Sequence, residues 1–269
     1  MEQETHIFAY GGSILSRKEN KKLVYSDDAF QHLAKIFKDH DDSKFLSIFG
    51  GGAHARHLQD SRDREVRKLL GIEDLESDVK DLPPGLETDA LKYNLNVFGI
   101  KGTIANGEEG IQRLDKIFPG EVCPKVLTNP NIDLPKEDYR IYIGGGFKPG
   151  SSTDNATMLW AEKLNATRVH KVSDYGKLRD VHYLKYKKKL DETYQTLDET
   201  TFEHIIGLVG IPEDFNPGDK TPLDPSAALL GLKLALENPQ FRLNIGKFDQ
   251  LEKMIQGVHF EGTVVRGKL

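Results

Sequence analysis

Residues 139–164 read YRIYIGGGFKPGSSTDNATMLWAEKL: a short apolar run, three consecutive glycines, a polar loop, then Ala156, Leu159, Trp160 and Leu164 at helical spacing. That order spells a strand (139–143) that ends in a glycine turn and opens a helix (153–164). The unit recurs upstream. Residues 44–49 form an apolar run that meets Gly50-Gly51-Gly52, and the charged stretch 53–70 reads as a helix. Residues 6–10 run into Gly11-Gly12-Ser13, and Phe30, Leu33, Ile36 and Phe37 mark a helix over 28–40 with Asp27 or Asp28 as N-cap. Strand, glycine turn and helix in alternation predict an α/β fold with a mainly parallel sheet and right-handed crossovers.

Outside these units the pattern thins. Residues 71–90, which contain Pro83-Pro84, and residues 119–138, with four prolines, read as surface excursions. Residues 95–100 and 168–172 read as strands, followed by a helix (227–236), a strand (241–245), a helix (248–255) and a last strand (262–265). Tyrosines among lysines in residues 183–189 have the composition of a single-strand nucleic-acid contact, but read more simply as a solvated loop or edge.

Composition bounds the function. The 269 residues carry 42 acidic against 37 basic side chains, a net charge of −5, which gives no global attraction for nucleic acid or an anionic membrane. A single cysteine, Cys123, excludes an internal disulfide and any thiolate metal cluster. No apolar run has the length of a membrane span, and the start MEQETHIF has neither the basic nor the apolar region of a signal peptide, so a cytoplasmic protein is expected.

Glycine turns at strand ends let the backbone approach a ligand and point amides and helix N-termini at an anion. Three of them in one parallel sheet converge at its carboxyl edge, where ligands of α/β folds bind. None matches the P-loop pattern or the dinucleotide fingerprint. Arg56, one helical turn beyond Gly52, could hold the same anion or simply pair with Asp60. Lys148, Ser151, Ser152 and Thr153 supply donors at the third turn. Asp154 either caps its helix or orients a basic group or a metal-bound water. His6, His54 and His57 read as ordinary histidines more than as metal ligands.

The order of these motifs resembles the amino acid kinase superfamily, and most closely its archaeal-type uridylate kinases. The resemblance runs along most of the chain. Residues Tyr10-Gly11-Gly12-Ser13-Ile14-Leu15 look like the loop that cradles the transferred phosphoryl group, and Phe49-Gly50-Gly51-Gly52-Ala53-His54-Ala55-Arg56 like the loop that holds nucleotide phosphates. The stretch from Gly145 to Ala156, with Ser152-Thr153-Asp154, is similar to the nucleoside-monophosphate loop, and Pro222–Ala228, Asn244–Lys247 and Gly262–Val265 follow in the family's order.

The resemblance implies a three-layer, carbamate kinase-like sandwich forming one domain over 1–269, with an acceptor side (about 1–165) and an ATP side (about 166–269). It implies magnesium-dependent transfer of the γ-phosphoryl group of ATP to UMP in a homo-oligomer, often a hexamer. Gly11, Gly12, Ser13, Gly52, Lys171, Ser173 and Asp174 then serve the nucleoside triphosphate, and Gly51, Arg56, Asp81, Gly146, Ser152 and Thr153 the acceptor. Lys148, Asp154 and Arg56 carry the catalytic positions, with no metal bound by the protein itself. Many relatives place a lysine where this chain has Ala9; Lys148 is the first candidate to replace it and Lys171 the second. The adenine-side signature is reduced to residues 171–180 and lacks its Asp-Pro. Two rivals share the fold: a non-catalytic binder that stores molybdate or tungstate, suggested by Ala55-Arg56-His57-Leu58, and a kinase for another small phosphate or carboxylate, such as isopentenyl phosphate or acetylglutamate.

Overall fold

The computed structural model describes residues 4–20, 22–70, 85–132, 134–149, 151–173, 176–183, 194–215 and 221–268. Along the chain the elements are β1 (Thr5–Tyr10), α1 (Gly12–Leu15), β2 (Ser16–Glu19), β3 (Lys22–Tyr25), α2 (Asp27–Asp39), β4 (Lys44–Phe49), α3 (Gly52–Leu70), α4 (Leu86–Asp115), β5 (Ile141–Gly144), α5 (Thr153–Lys163) and β6 (Arg168–Val172). They continue with β7 (Leu178–Arg179), β8 (Thr196–Leu197), β9 (Glu199–Thr201), α6 (Phe202–Val209), α7 (Pro225–Glu237), β10 (Arg242–Gly246), α8 (Leu251–Gln256) and β11 (Gly262–Arg266).

Seven strands form one sheet in the order β5-β4-β1-β6-β10-β11-β9, with every pair parallel except β10–β11. β11 and the edge strand β9 therefore run opposite to the other five. The fully buried runs of β1 and β4 fit strands covered on both faces. On one face Phe8, Tyr10, Phe45 and Phe49 pack on α2, α8 and the end of α4. On the other, Ile7, Leu46, Ile48 and Val169 pack on α5, α6 and α7, with Trp160 fully enclosed. The architecture is therefore the expected three-layer α/β sandwich.

Three expectations need correction. Residues 95–100 are not a strand but lie within the 30-residue helix α4. A short apolar run has no period of its own; Leu91 and Leu95 sit at helical spacing and pack on Val66 of α3. The loop expected through residue 90 ends sooner, because α4 starts at Leu86; residues 71–84 lie outside the described ones. The N-cap of α2 is Ser26, whose hydroxyl accepts from the Ala29 amide, and Asp27 and Asp28 occupy the first turn beside the positive helix end. In the basic stretch only Tyr183 is described: it is buried, and its hydroxyl accepts from the Arg179 amide.

The sheet buries two histidines on the α2 and α8 face. His6 lies against Phe8 and Phe45, and His170 lies 5.7 Å from it between centroids. Burial holds His6 down to about 4, against the pull of Glu4, and drives His170 well below the ordinary range. Between pH 6.5 and 4 the unfolded chain therefore binds more protons than the folded one, so stability falls as pH falls. His6 alone is expected to cost about 2 kcal/mol by pH 5. Urea midpoints at pH 7.5 and 5 measure this, and a His6→Phe variant should show a shallower acid-side loss.

Candidate active site

The first two glycine turns touch main chain to main chain. Gly52 has φ +53, and a Cβ there would lie 2.1 Å from the Gly12 carbonyl oxygen; one at Gly12 would lie 2.0 Å from the Gly52 nitrogen. Only residues without a Cβ allow strands β1 and β4 to deliver their loops to one point. The Gly50 amide donates to the Tyr10 carbonyl at 3.0 Å, which ties the two strand ends.

The third turn is joined to the second through α4. The Thr103 hydroxyl accepts from the Gly146 amide at 2.6 Å and donates to the Ile100 carbonyl at 2.7 Å. One turn further along, the fully buried Asn106 donates through Nδ2 to the carbonyls of Gly50 (2.7 Å) and Gly51 (3.1 Å). The sequence pattern assigns no element to residues 101–118, so neither residue stands out there; a polar pair at i, i+3 within a glycine-containing apolar helix is the available signal. α4 comes close enough to do this because a Cβ at Gly102 would strike the backbone of Ala55 at 2.4 Å.

At the same edge, the Lys171 ammonium forms a part-buried ion pair with Asp154, the two side chains being 13% and 14% exposed. Lys171 lies on β6 directly opposite Ala9 of β1 and Ile245 of β10. Its neighbour across the strand is thus Ala9, the position for which a replacement lysine is expected. Asp154 does not cap α5. Ser152 does, accepting from the Asn155 amide at 3.1 Å, which leaves Asp154 for Lys171 and for the Asp224 amide at 3.3 Å. Asp224 in turn caps α7 through the amides of Ser226 and Ala227. Lys148 takes a different place: it is exposed, with its ammonium 5.7 Å from the centre of the Phe147 ring. Thr153 is the first residue of α5.

Beside the first two turns lies a cavity of about 220 Å³ lined by Ser13, Ser16, Arg17, Lys18, Arg56 and Asp60. Arg17 and Lys18 reach it on the β2–β3 hairpin, in which Asn20 adopts φ +48. The hairpin is anchored to α3 by Tyr25, whose hydroxyl is 3.0 Å from His54 Nδ1. Burial and the neighbouring His57 make His54 harder to protonate, and burial pushes the Tyr25 phenol up to about 12. Asp60 pairs with Lys18 at 3.2 Å rather than with Arg56, so the alternative i, i+4 pair gives way to a bridge from hairpin to helix. Arg56 stands exposed at the rim.

Some loop amides are already engaged. Gly11 donates to the Val172 carbonyl at 3.2 Å and Ser173 to the Gly246 carbonyl at 2.9 Å, so these residues shape the edge through their backbone. Asp81 and Asp174 lie outside the described residues. Among the described residues no three histidine, cysteine or acidic side chains gather to hold a metal ion, and no helix is long and apolar enough to cross a membrane.

No family model matches the chain, and no curated protein matches it by sequence. Its structure is similar along nearly its whole length to solved kinases. Uridylate kinase from Archaeoglobus fulgidus superposes with a TM-score of 0.64 at 18% identity, covering 97% of this chain and 99% of its own. UMP kinase from Bacillus anthracis gives 0.62 at 15%, covering 99% and 97%. Carbamate kinase from Giardia lamblia, solved with AMP-PNP, gives 0.56 at 16%, covering 98% of each chain. These likenesses establish the amino acid kinase fold.

Proposed function

We propose that this chain, folded as an amino acid kinase, is a phosphotransferase that passes the γ-phosphoryl group of ATP to a small phosphate-bearing acceptor, with UMP as the first candidate. The observation that carries the reading is the Lys171–Asp154 pair, largely enclosed at the sheet edge that carries the glycine turns, together with a cavity beside the first two turns bordered by Arg17, Lys18 and Arg56. In phosphoryl transfer the protein does little covalent chemistry. It holds two phosphates in line and neutralises the charge that develops between them.

In this reading the first turn and Lys171 face the migrating phosphoryl group. Asp154 is a positioning residue: it fixes the ammonium of Lys171 and is itself held by the Asp224 amide. Arg56 and Lys18 grip the acceptor phosphate from α3 and the hairpin, with Ser13 between the two phosphates. Gly51, Gly146, Ser152 and Thr153 border the acceptor side, and Ser173 and Asp174 the triphosphate side. Magnesium fits as a companion of the triphosphate, because among the described residues Asp154 and Asp224 at this edge are already engaged. The reading carries with it a cytoplasmic homo-oligomer.

A second reading is favoured by the cavity wall, which is serine, alanine and charged side chains with no aromatic ring to stack on a base. That suits a small non-nucleotide phosphate such as isopentenyl phosphate. An ADP-release assay over nucleoside monophosphates and small phosphates decides between them. Turnover with none of them, while ATP still raises the melting temperature, would leave a binding protein. With the true acceptor, Arg56→Ala is expected to raise KM about 10–100-fold with a smaller fall in kcat, since losing a charge-assisted contact to phosphate costs about 1.5–3 kcal/mol.

A further inference from the structure

The opposite, amino-terminal edge of the sheet carries a row of arginines. Arg168, Arg242 and Arg266 are register partners on β6, β10 and β11, so all three side chains leave the same face of adjacent strands. Two of them have carboxylate partners: Arg168 faces Glu4 at 3.9 Å and Arg266 meets Glu199 at 3.1 Å. Among the described residues no carboxylate pairs with Arg242, and its buried Nε has no acceptor. Arg168 and Arg242 nonetheless converge: a Cβ built on Gly257, at the end of α8, would lie 3.4 Å from Arg168 Nη1 and 3.5 Å from Arg242 Nη2. Arg168 also donates to the Ile255 carbonyl at 3.4 Å, a helix-end contact that Arg242 does not share.

A cavity of about 200 Å³ opens at this row, lined by Arg242, Arg266, Asn244 and His259, with Val258 and Val264 as apolar wall. The two carboxylates that reach it are spent, Glu199 on Arg266 and Asp198 on Lys177. Burial and the flanking guanidiniums of Arg168 and Arg266 disfavour the charge on Arg242 more than Glu4, already paired with Arg168, supports it, so the cation is only partly balanced. Guanidinium forks match the oxygens of phosphate in a bidentate way, and more than one fork at a site favours a dianion over a single carboxylate.

We propose that this cavity is a second anion site, separate from the glycine-turn edge, that takes a phosphate group, free or on a small organic ester, with Arg242 as its central ligand. Binding there gives the Arg242 guanidinium an anion at hydrogen-bond distance, and Arg266 and His259 close over the remaining oxygens.

The test is the melting temperature of the full chain against inorganic phosphate, glycerol phosphate and acetate, each matched for ionic strength with sodium chloride. The titrations are run on an Arg56→Ala background, which weakens phosphate binding at the catalytic edge, so that the Arg242 and Arg266 variants read this site. Both phosphates are expected to raise the melting temperature by several degrees at millimolar concentration, and acetate by less than half as much. Adding Arg242→Met should weaken the apparent phosphate affinity at least tenfold without lowering stability in phosphate-free buffer, since it removes a cation that is only partly balanced. The more exposed Arg266→Gln should weaken it about threefold or more, and reads the site independently should Arg242→Met fold poorly. An unchanged phosphate response in both variants overturns the proposal, as does an equal response to acetate. A well-folded Arg242→Met protein that is equally destabilised with and without phosphate does so too, because Arg242 is then a plain structural group.

Discussion

Replacing Lys171 by methionine is expected to lower kcat about 10²–10³-fold, with KM for either substrate changed far less. Methionine keeps the apolar stem that runs beside Ala9 and Ile245 and removes the ammonium alone. A preorganised cation aimed at charge that grows in the transition state loses its effect on the chemical step when it is deleted, and single donors of this kind are worth about 3–4 kcal/mol. The variant also leaves the largely enclosed Asp154 carboxylate with, among the described residues, the Asp224 amide as its remaining partner, at a cost to folding of about 1–3 kcal/mol. Rates are therefore measured well below its melting temperature. Asp154→Asn keeps the volume and unhooks the lysine, and should show a smaller fall in kcat. Equal kcat in wild type and Lys171→Met would remove Lys171 from the chemistry and return the search to Lys148 and Lys18.

The largest effect on stability is expected at Gly52. An alanine there must adopt φ +53, which costs about 1–2 kcal/mol, and its Cβ would stand 2.1 Å from the Gly12 oxygen and 2.4 Å from the Gly12 carbonyl carbon. Both obstacles are backbone, so relief requires the two turns to separate and the Tyr10–Gly50 hydrogen bond to break. Gly52→Ala should lose about 4 kcal/mol or more, the range in which single substitutions threaten folding of a domain. Gly120→Ala is the control, because Gly120 has φ +78 with nothing within 4 Å of its missing Cβ. It carries the conformational cost alone, about 1–2 kcal/mol. Similar losses in the two variants would mean that the turns are not in rigid contact.

The strands and turns that bear the site were legible because each apolar run stops at glycine and the helix beyond it has its own period. Residues 95–100 misled for the opposite reason. An apolar stretch dotted with glycine looks like strand and loop, while tertiary contacts with Ala55 and Val66 make it helix. The β2–β3 hairpin left little trace, since its strands are four residues each and largely polar, and only Asn20 marks the turn. Lys18 was missed along with it. Ranking Lys148 ahead of Lys171 followed sequence proximity to the glycines; strand register, which no local pattern reveals, sets Lys171 beside Ala9.

The contact between Gly12 and Gly52 has a consequence for how such a protein diversifies. Two loops locked together through their main chains fix the spacing of whatever they hold as a backbone dimension, untouched by side-chain replacement. The hairpin and the rim of α3 stand outside that lock and can vary freely. A lineage could therefore exchange one cargo for another by rewriting Arg17, Lys18 and Arg56 while the gauge of the inner machinery stays constant.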